Sequence, residues 1–457
     1  MDALLLLAGG LLHELMLFAA IGFVIGGASD LAIDLIWIGT ALRAKISLRQ
    51  ESAHCWKRKP ATHSKFAIFV PAWDESAVIE AMLDHSIEKV TGHDVDIFVG
   101  YYPNDRKTGD ILKRVAVRGG RVVPVRAPRP GPTTKADCLN AIWRGMVEAE
   151  SDKGYRFDAI ILHDAEDLIH ASELALFDRL LPGLDFVQLP VLPLPDPHSR
   201  WIGNSYCDEF AEAHGKAMTV RQSLGAAIPS AGTGCAISRK ALAGLAEQRG
   251  GVPFDADSLT EDYELGLRIA EAGGKGIFAR CRDEDGSLIA VRSHFPSKLG
   301  TAVRQKTRWI MGIALSGWDR LGWRGGWAER WMRLRDRGTI LAAMVLFAAY
   351  AALALAALLG AAALLGHYEM PEIDPLLRVL LWINFGLLIW RLLMRAGFTA
   401  HAYGWREGLR AIPRTITSNI VAMMAARRAT GRYLFGGSDG AKRWEKTHHV
   451  FPDTTLL

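Results

Sequence analysis

The sequence predicts an α/β domain with a Rossmann-like, mostly parallel sheet, joined to α-helical transmembrane segments. Between residues 60 and 300, short apolar runs rich in β-branched residues alternate with stretches of helical periodicity, which is the pattern of βαβ units. Long apolar stretches with few charges lie on both sides of this region. Half of the 457 residues are hydrophobic and 23% are charged, which favours a soluble domain combined with a few membrane spans.

Residues 1–45 are predicted to form an N-terminal membrane anchor. The stretch is mostly apolar, and its first basic residue is Arg43. A cleaved signal peptide would carry positive charge before its apolar core, so we expect this segment to be retained. Further basic residues follow from Arg43 to Lys59, and a flank of this kind stays on the cytoplasmic side of a membrane.

Five strands are predicted within residues 60–300. They are residues 66–70, 96–101, 121–125, 160–162 and 186–189. The fourth is a continuous apolar run, which is typical of a strand buried on both faces of a parallel sheet. Helical stretches separate the first four strands, so the sequence predicts one doubly covered sheet in this domain.

Carboxylates follow three of these strands, at Glu75, Asp105 and Asp164. The ends of parallel strands lie along one edge of the sheet, where ligands of such sheets bind. We therefore expect the three side chains to converge. Asp164 begins an acidic cluster with Glu166 and Asp167, and carboxylate oxygens suit Mg²⁺ or Mn²⁺. The alternative for an isolated acidic triplet is a solvated turn.

Two further motifs fit a ligand site but have equally plausible structural explanations. Lys135 opens a helix after a Pro-Gly loop, where it could contact a phosphate or simply be an exposed first-turn lysine. Gly232 and Thr233 lie in a glycine-rich turn that would allow a ligand to approach the backbone closely. A plain turn explains the same glycines.

Another helix is predicted to begin near Glu261 and Asp262. Ser258 and Glu261 have the spacing of a capping box, which is a sufficient structural explanation for Glu261. It does not explain Asp262. A carboxylate at a helix start beside a sugar-binding cleft could act as the general base for an acceptor hydroxyl.

Residues 301–330 are predicted to form an amphipathic helix in the membrane interface, because basic residues and tryptophans alternate there with apolar ones. Gln305, Arg308 and Trp309 would share one face of this helix. An arginine can bind a diphosphate with two hydrogen bonds, and a tryptophan can stack on a sugar ring. Interfacial anchoring is the alternative for Trp309.

Two transmembrane helices are predicted within residues 339–397, followed by a cytosolic or interfacial segment of residues 398–457. The loop between the two helices, residues 367–374, contains no lysine or arginine, whereas basic residues return after the second helix. This asymmetry predicts that the loop lies on the outer side of the membrane and the main domain on the cytoplasmic side. The net charge is only +5, and the basic residues cluster beside apolar segments, which favours an anionic membrane surface over nucleic acid as their partner.

Taken together, the motifs resemble those of processive-type family 2 glycosyltransferases, which include cellulose and hyaluronan synthases. The resemblance covers residues 66–323. The matching motifs, in chain order, are Pro71 with Glu75, then Asp105, Asp164-Ala165-Glu166, Thr260-Glu261-Asp262, and finally Gln305 with Arg308 and Trp309. The last two motifs at this separation are the most specific part of the match.

The resemblance implies a glycosyltransferase-A-type domain that transfers a sugar with inversion from a nucleotide diphosphate donor, a UDP-sugar, to a growing exopolysaccharide. It also implies a divalent cation, Mg²⁺ or Mn²⁺, bound by Asp164 with Glu166 or Asp167. The implied roles are nucleotide-sugar binding for Pro71, Glu75, Asp105, Lys135 and Asp164, acceptor or diphosphate contact for Glu261, Gln305, Trp309, Gly232 and Thr233, and catalysis for Asp262 and Arg308.

The wording of the motifs is most similar to a smaller group of bacterial inner-membrane glycosyltransferases of exopolysaccharide systems. Members of that group often continue into a C-terminal region that binds cyclic-di-GMP. In this sequence Glu166 stands where many synthases have the second aspartate of the metal motif. The predicted localisation is the bacterial inner membrane, with several spans and a cytoplasmic catalytic domain.

Two other functions fit some of the same residues. One is transfer of a single sugar to a polyprenyl phosphate, but enzymes of that kind generally lack the Gln305, Arg308 and Trp309 motif. The other is a non-catalytic scaffold or phage-receptor subunit, against which the complete set of carboxylates argues. Three spans are few for a polymer channel, so we expect a partner, either a second copy or an outer-membrane export protein.

Overall fold

The structure is a computed structural model that describes residues 2–47, 64–370, 372–435 and 450–452. Most of the predicted basic flank after Arg43 and part of the predicted C-terminal segment lie outside these residues. The strands are β1 (Lys65–Pro71), β2 (Asp94–Tyr101), β3 (Val122–Arg126), β4 (Ala159–Leu162), β5 (Phe186–Gln188), β6 (Cys235–Ser238) and β7 (Gly276–Phe278).

Helix α1 (Asp2–Ser47) precedes the α/β domain. The described helices of that domain are α2 (Ile79–Lys89), α3 (Arg106–Gly119), α4 (Lys135–Lys153), α5 (Glu173–Leu180), α6 (Gly203–Glu212), α7 (Met218–Ser223), α8 (Arg239–Gln248) and α9 (Glu261–Glu271). A π-helical segment, Ala213–Ala217, joins α6 to α7. The helices that follow are α10 (Leu299–Trp309), α11 (Gly317–Leu321), α12 (Trp327–Arg337), α13 (Thr339–Leu364), α14 (Pro375–Tyr403) and α15 (Trp405–Phe435).

The seven strands of the described residues form one mixed sheet in the order β3-β2-β1-β4-β6-β5-β7. β6 is antiparallel to β4 and β5, and the other strand pairs are parallel. All five predicted strands are present. β6 and β7 were not predicted, because each is short and lacks a long apolar run.

Both faces of the sheet are covered, which explains why the central strands are continuously apolar. In β1, Phe66, Ile68 and Val70 belong to one buried cluster and Ala67 and Phe69 to another on the opposite face. A sheet covered on both faces leaves only its strand ends open to ligands. The carboxyl ends of β1, β2 and β4 lie at the same edge, because these strands are parallel and adjacent.

The predicted single helix over residues 301–330 is divided in the structure. α10 ends at Trp309 and continues as a π-helical segment, Ile310–Ser316, before α11 ends at Leu321. A side chain at Gly312, within the π-helical segment, would collide with Thr260, which directly precedes α9. Gly322 has a φ of 55° and terminates α11, and α12 is a separate helix.

Among the described residues, three helices are long and apolar enough to cross a membrane, by length and composition: Leu5–Arg43, Thr339–Leu364 and Pro375–Tyr403. Two polar residues within the third helix have partners on α1. Asn384 donates to the carbonyl of Ala20 at 2.9 Å, and Arg391 pairs with Asp30. Pairing of this kind is expected of polar side chains within a membrane segment.

Candidate active site

The loops that follow β1 and β2 are held together by Asp105. Its carboxylate accepts hydrogen bonds from the backbone amides of Asp74, at 2.6 Å, and Thr108, at 3.3 Å, and thereby caps α3. Asp74 has a φ of 55°, which is unusual for a residue other than glycine. Asp105 and Glu75 are both buried, so they support the shape of this edge whether or not they contact a nucleoside.

The loop before α4 packs onto these two loops. The side chain of Asn104 exchanges two hydrogen bonds with the backbone of Gly131, each 2.8 Å long. A side chain at Gly131 would meet the rings of Trp73 and Tyr102, so only glycine fits there. This packing sets the position at which α4 begins, with Lys135 in its first turn.

Lys135 contacts the acidic cluster directly. Its Nζ lies 2.5 Å from Oδ1 of Asp164, and only 11% of the lysine side chain is exposed. Burial opposes the positive charge, but the carboxylates of Asp164, Asp262 and Glu261 together raise the pKa of Lys135 above its ordinary value. The structure therefore brings a cationic lysine and the predicted metal and base carboxylates to one place. Of the two explanations open from the sequence, an exposed first-turn lysine does not describe Lys135.

The turn of residues 164–167 is built around the carboxylate of Asp167. This carboxylate accepts hydrogen bonds from the Asp164 amide at 2.7 Å and from the Thr233 hydroxyl, and it is only 1% exposed. Its oxygens are thus directed into the protein. The side chains of Asp164 and Glu166 are each half-buried.

His163 is a further element of this turn that the sequence interpretation did not single out. Its Nε2 lies 2.7 Å from Glu173 and its Nδ1 3.3 Å from Asp167, and the ring is fully buried. Burial opposes its charge, but the two carboxylates raise the pKa of His163 to about 10. The sequence does contain one signal for His163, namely that it is a polar residue directly after the apolar run of β4.

Asp262 packs against the glycine-rich turn. A Cβ at Gly232 would lie 2.4 Å from Oδ2 of Asp262, and Gly232 has a φ of 79°. Thr233, the next residue, is bonded to Asp167 of the acidic turn. The turn therefore touches the predicted base on one side and supports the predicted metal loop on the other.

We expect Gly232→Ala to lower turnover by about 10²-fold, because displacing a reacting group by about 1 Å has an effect of that size. The matched control is Gly225→Ala. Gly225 has a similar φ of 71° but nothing within 4 Å of its Cβ position, so it reports backbone strain alone. Initial rates of sugar transfer measure both variants. Equal rates for the two would contradict a role for the close approach of Gly232 to Asp262.

Glu261 is buried beside Asp262, and one of its carboxylate oxygens has no hydrogen-bond partner among the described residues. Burial, and then the charge of Asp262, raise the pKa of Glu261 to about 7 against the opposing effect of Lys135 and Arg308. The capping box is absent, since Ser258 donates instead to Glu264 at 2.7 Å. Glu261 is thus a poorly satisfied carboxyl in the middle of the site.

We expect Glu261→Gln to stabilise the protein at pH 8 but not at pH 4.5. An unfolded glutamate ionises near 4.5 and the folded one near 7, so stability falls as pH rises through this window, by about 3 kcal/mol at most. Thermal unfolding in detergent at the two pH values measures the effect, with the exposed Glu148→Gln as control. The same difference from wild type at both pH values would contradict the raised pKa.

Arg308, Gln305 and Trp309 lie at the end of α10. Arg308 is close enough to Glu261 to oppose the rise of its pKa. Trp309 packs in an aromatic cluster, with its ring 6.2 Å from that of Tyr206. The buried Oε1 of Gln305 has no hydrogen-bond partner in the described part of the chain. Arg308 therefore belongs to the charged group, the cluster of charged side chains around Lys135 and Glu261. Trp309 instead packs against other aromatic rings.

A cavity of about 560 Å³ lies beside the first turns of α4. Its lining includes Tyr102 and Thr133 from the two loops described above, together with Phe254 from the segment before α9. The volume lies within the usual range for small-ligand sites. None of the predicted catalytic residues lines it, so it adjoins the charged group without containing it.

The donor set of the acidic turn fits a divalent cation that is shared with a substrate. Within the described ranges, no three His, Cys, Asp or Glu side chains are grouped closely enough to hold an ion by themselves. Asp164 and Glu166 offer two partly accessible carboxylates of the hard-oxygen type that Mg²⁺ and Mn²⁺ prefer. Substrate phosphates commonly supply the remaining ligands of such ions.

Comparison with known proteins identifies the family. A sequence model described as glycosyltransferase-like family 2 matches residues 63–312, which is more than half of the chain. The chain belongs to the family 2 glycosyltransferases. The matched range begins just before β1 and ends just after Trp309, so it includes all the charged residues of the candidate site.

Two curated relatives of this family 2 glycosyltransferase come from Escherichia coli: bacteriophage adsorption protein B of strain K12 and bacteriophage N4 adsorption protein B of O157:H7. Each is 35% identical over 460 residues. The alignments cover 95% of this chain but 62% of each relative, so the chain spans less than two thirds of their length.

Among solved structures, the mannosyltransferase PcManGT from Pyrobaculum calidifontis, determined in complex with GDP-Man and Mn²⁺, has a similar fold. The TM-score is 0.51 at 17% identity, and the match covers 88% of this chain and 99% of that one. Identity this low shows the fold alone. The predicted fold class, a glycosyltransferase-A-type domain with apolar helices that could cross a membrane, is confirmed.

Proposed function

We propose that this chain is an inverting glycosyltransferase that transfers a sugar from a UDP-sugar to a growing exopolysaccharide. The observation that carries the proposal is the contact between Lys135 and Asp164, beside Glu261 and Asp262, in a family 2 chain. A cation, a metal-type carboxylate and a candidate base are the three groups that diphosphate departure and hydroxyl attack require.

The divalent cation is assigned to Asp164 and Glu166. The hydrogen bonds of Asp167 to the Asp164 amide and the Thr233 hydroxyl favour Glu166 as the second ligand, because they occupy the Asp167 carboxylate inside the protein. The similar mannosyltransferase was determined with Mn²⁺, which supports a divalent cation of this kind. When bound, the cation would neutralise charge on the donor diphosphate.

In the proposed reaction, Asp262 removes the proton of the acceptor hydroxyl. The hydroxyl oxygen bonds to the anomeric carbon, and the bond from that carbon to the diphosphate breaks, with the electron pair leaving on the diphosphate. Lys135 and Arg308 bind the departing diphosphate through charge-assisted hydrogen bonds. The protonated Asp262 would then have to lose its proton before the next turnover.

The remaining assignments follow the edge of the sheet. Pro71, Glu75 and Asp105 lie at the part of the site that binds the nucleoside of the donor. Gln305 and Trp309 lie where the acceptor enters the site. The buried Oε1 of Gln305, which has no hydrogen-bond partner among the described residues, supports this, because it could accept a hydrogen bond from a sugar hydroxyl.

The three apolar helices support a place in the bacterial inner membrane, with the catalytic domain in the cytoplasm. The names of the two relatives refer to bacteriophage adsorption, which supports an association with the cell envelope. The polymer would leave through an assembly with a second copy or with an outer-membrane export protein. Crosslinking in intact cells that returned only monomer would contradict such an assembly.

The proposal is tested by incubating the full chain, in membranes with Mn²⁺, with a panel of radiolabelled nucleotide sugars. We expect release of nucleoside diphosphate with one donor and label in a product of increasing length on a gel. A lipid-linked product of a single sugar would contradict polymer synthesis and support transfer to a polyprenyl phosphate. No release or transfer with any donor would contradict the enzymatic function.

A further inference from the structure

Helix α12 lies between the N-terminal membrane helix and the helix that carries the proposed base. On the membrane side, Arg335 donates to Ser29 at 2.6 Å and to Asp30 at 2.8 Å, both on α1. Trp331 donates to the same serine at 3.2 Å. Met332 packs with Ile33 of α1 in one buried cluster. This face of α12 is therefore fixed to α1 by polar and apolar contacts.

The adjacent positions of α12 hold both ends of α9. Asp336 accepts a 2.6 Å hydrogen bond from the hydroxyl of Tyr263, which directly follows Asp262. Arg333 donates to Glu271, at the other end of α9, at 3.0 Å and is only 2% exposed. Hydrogen bonds of this kind between charged and buried groups are among the stronger ones in proteins.

The contact to Tyr263 is itself supported from a third element. Arg221, on α7, donates to the same carboxylate oxygen of Asp336 at 2.7 Å and is buried. Tyr263 is 8% exposed. The phenol, the carboxylate and the guanidinium thus form a nearly closed group at the start of α9, one residue from the proposed base.

From these contacts we infer that α12 is a brace that sets the position of Asp262 relative to the membrane helix α1. Arg335 and Asp336 are consecutive residues, so a shift of α1 that moves Arg335 also moves Asp336 and hence the first turn of α9. Tyr263 and Asp336 are positioning residues in this account, since neither needs to touch a substrate. The inference rests on the proposed function of Asp262.

The test uses Tyr263→Phe and Arg335→Gln in the full chain, in nanodiscs. Tyr263→Phe removes the hydroxyl bound by Asp336, and we expect kcat to fall about 10-fold with the donor KM unchanged, because the base is misplaced and the donor site is not. Arg335→Gln should produce the same split. The matched control is Tyr155→Phe, which also loses a hydrogen bond to an aspartate, but to Asp96 of β2 and not to a residue of α12.

The double variant decides whether α12 connects the two contacts. If it does, the losses in kcat are not additive, because either change alone already releases α9. Additive losses, a change in KM alone, or a Tyr263→Phe enzyme equal to Tyr155→Phe would overturn the inference. Asp262→Asn is measured alongside: if it remains active, the proposed base is wrong, whereas an inactive Asp262→Asn with a normal Tyr263→Phe rejects only the brace.

Discussion

Replacing Asp262 with asparagine should lower kcat by about 10²–10⁴-fold while the donor KM stays the same. Asparagine keeps the size of the side chain and its contact with Gly232, and its oxygen can still accept the 2.7 Å hydrogen bond from the Tyr263 amide. It cannot accept a proton from the acceptor hydroxyl. The loss should therefore appear in the chemical step alone.

Initial rates over a range of donor concentrations measure this, together with direct binding of the nucleoside diphosphate. The control is Asp257→Asn, an exposed aspartate in the segment that leads to the same helix, which should behave as wild type. Full activity of Asp262→Asn would remove this residue from the mechanism. A large rise in donor KM would instead assign it to donor binding.

Replacing Asp164 with asparagine should lower turnover by about 10²–10³-fold, and raising the Mn²⁺ concentration should not restore it. The substitution removes one of two accessible carboxylates of the acidic turn. It also replaces the charged partner that lies 2.5 Å from the Nζ of Lys135 with a neutral amide. Both effects weaken donor binding, so the donor KM should rise, in contrast to Asp262→Asn.

The two causes can be separated with Lys135→Met. This variant loses the cation but keeps both carboxylates, so its activity should still rise with Mn²⁺ concentration. Asp152→Asn, an exposed position on α4, is the neutral control for the loss of a carboxylate. If Asp164→Asn responded to Mn²⁺ as wild type does, Asp164 would not be a metal ligand.

The convergence of the strand-end residues follows from local sequence. The parallel arrangement of β1, β2 and β4 makes their carboxyl ends adjacent, so Glu75, Asp105 and Asp164 had to lie along one edge. Similarly, the continuous apolar character of β1 and β4 reflects helices on both faces. Alternation of strands and helices was sufficient to predict this part of the fold.

Orientation at the edge could not be predicted, because it depends on residues distant in the chain. Asp167 turns inward because Thr233, 66 residues later, donates to it. Glu261 follows Thr260, which contacts the π-helical turn at Gly312 that divides the helix predicted over residues 301–330. Neither contact leaves a local pattern.

The place of β6 and the contacts of α12 could not be predicted either, because they too depend on residues distant in the chain. β6 is inserted antiparallel between β4 and β5, so its place in the sheet does not follow from chain order. The link between Tyr263 and Asp336 spans 73 residues, and a basic, tryptophan-rich stretch such as α12 has the composition of an interfacial helix. Its role became visible only from its partners on α1 and α9.

The central claim is that Lys135, Asp164, Asp262 and Arg308 surround one nucleotide-sugar donor. A structure of the full chain in nanodiscs with Mn²⁺ and UDP tests it most directly. We predict the ion bound to Asp164 and the diphosphate, with Lys135 and Arg308 in contact with the phosphates and Asp262 facing the vacant sugar position. An ion or diphosphate bound away from these four side chains would contradict the account.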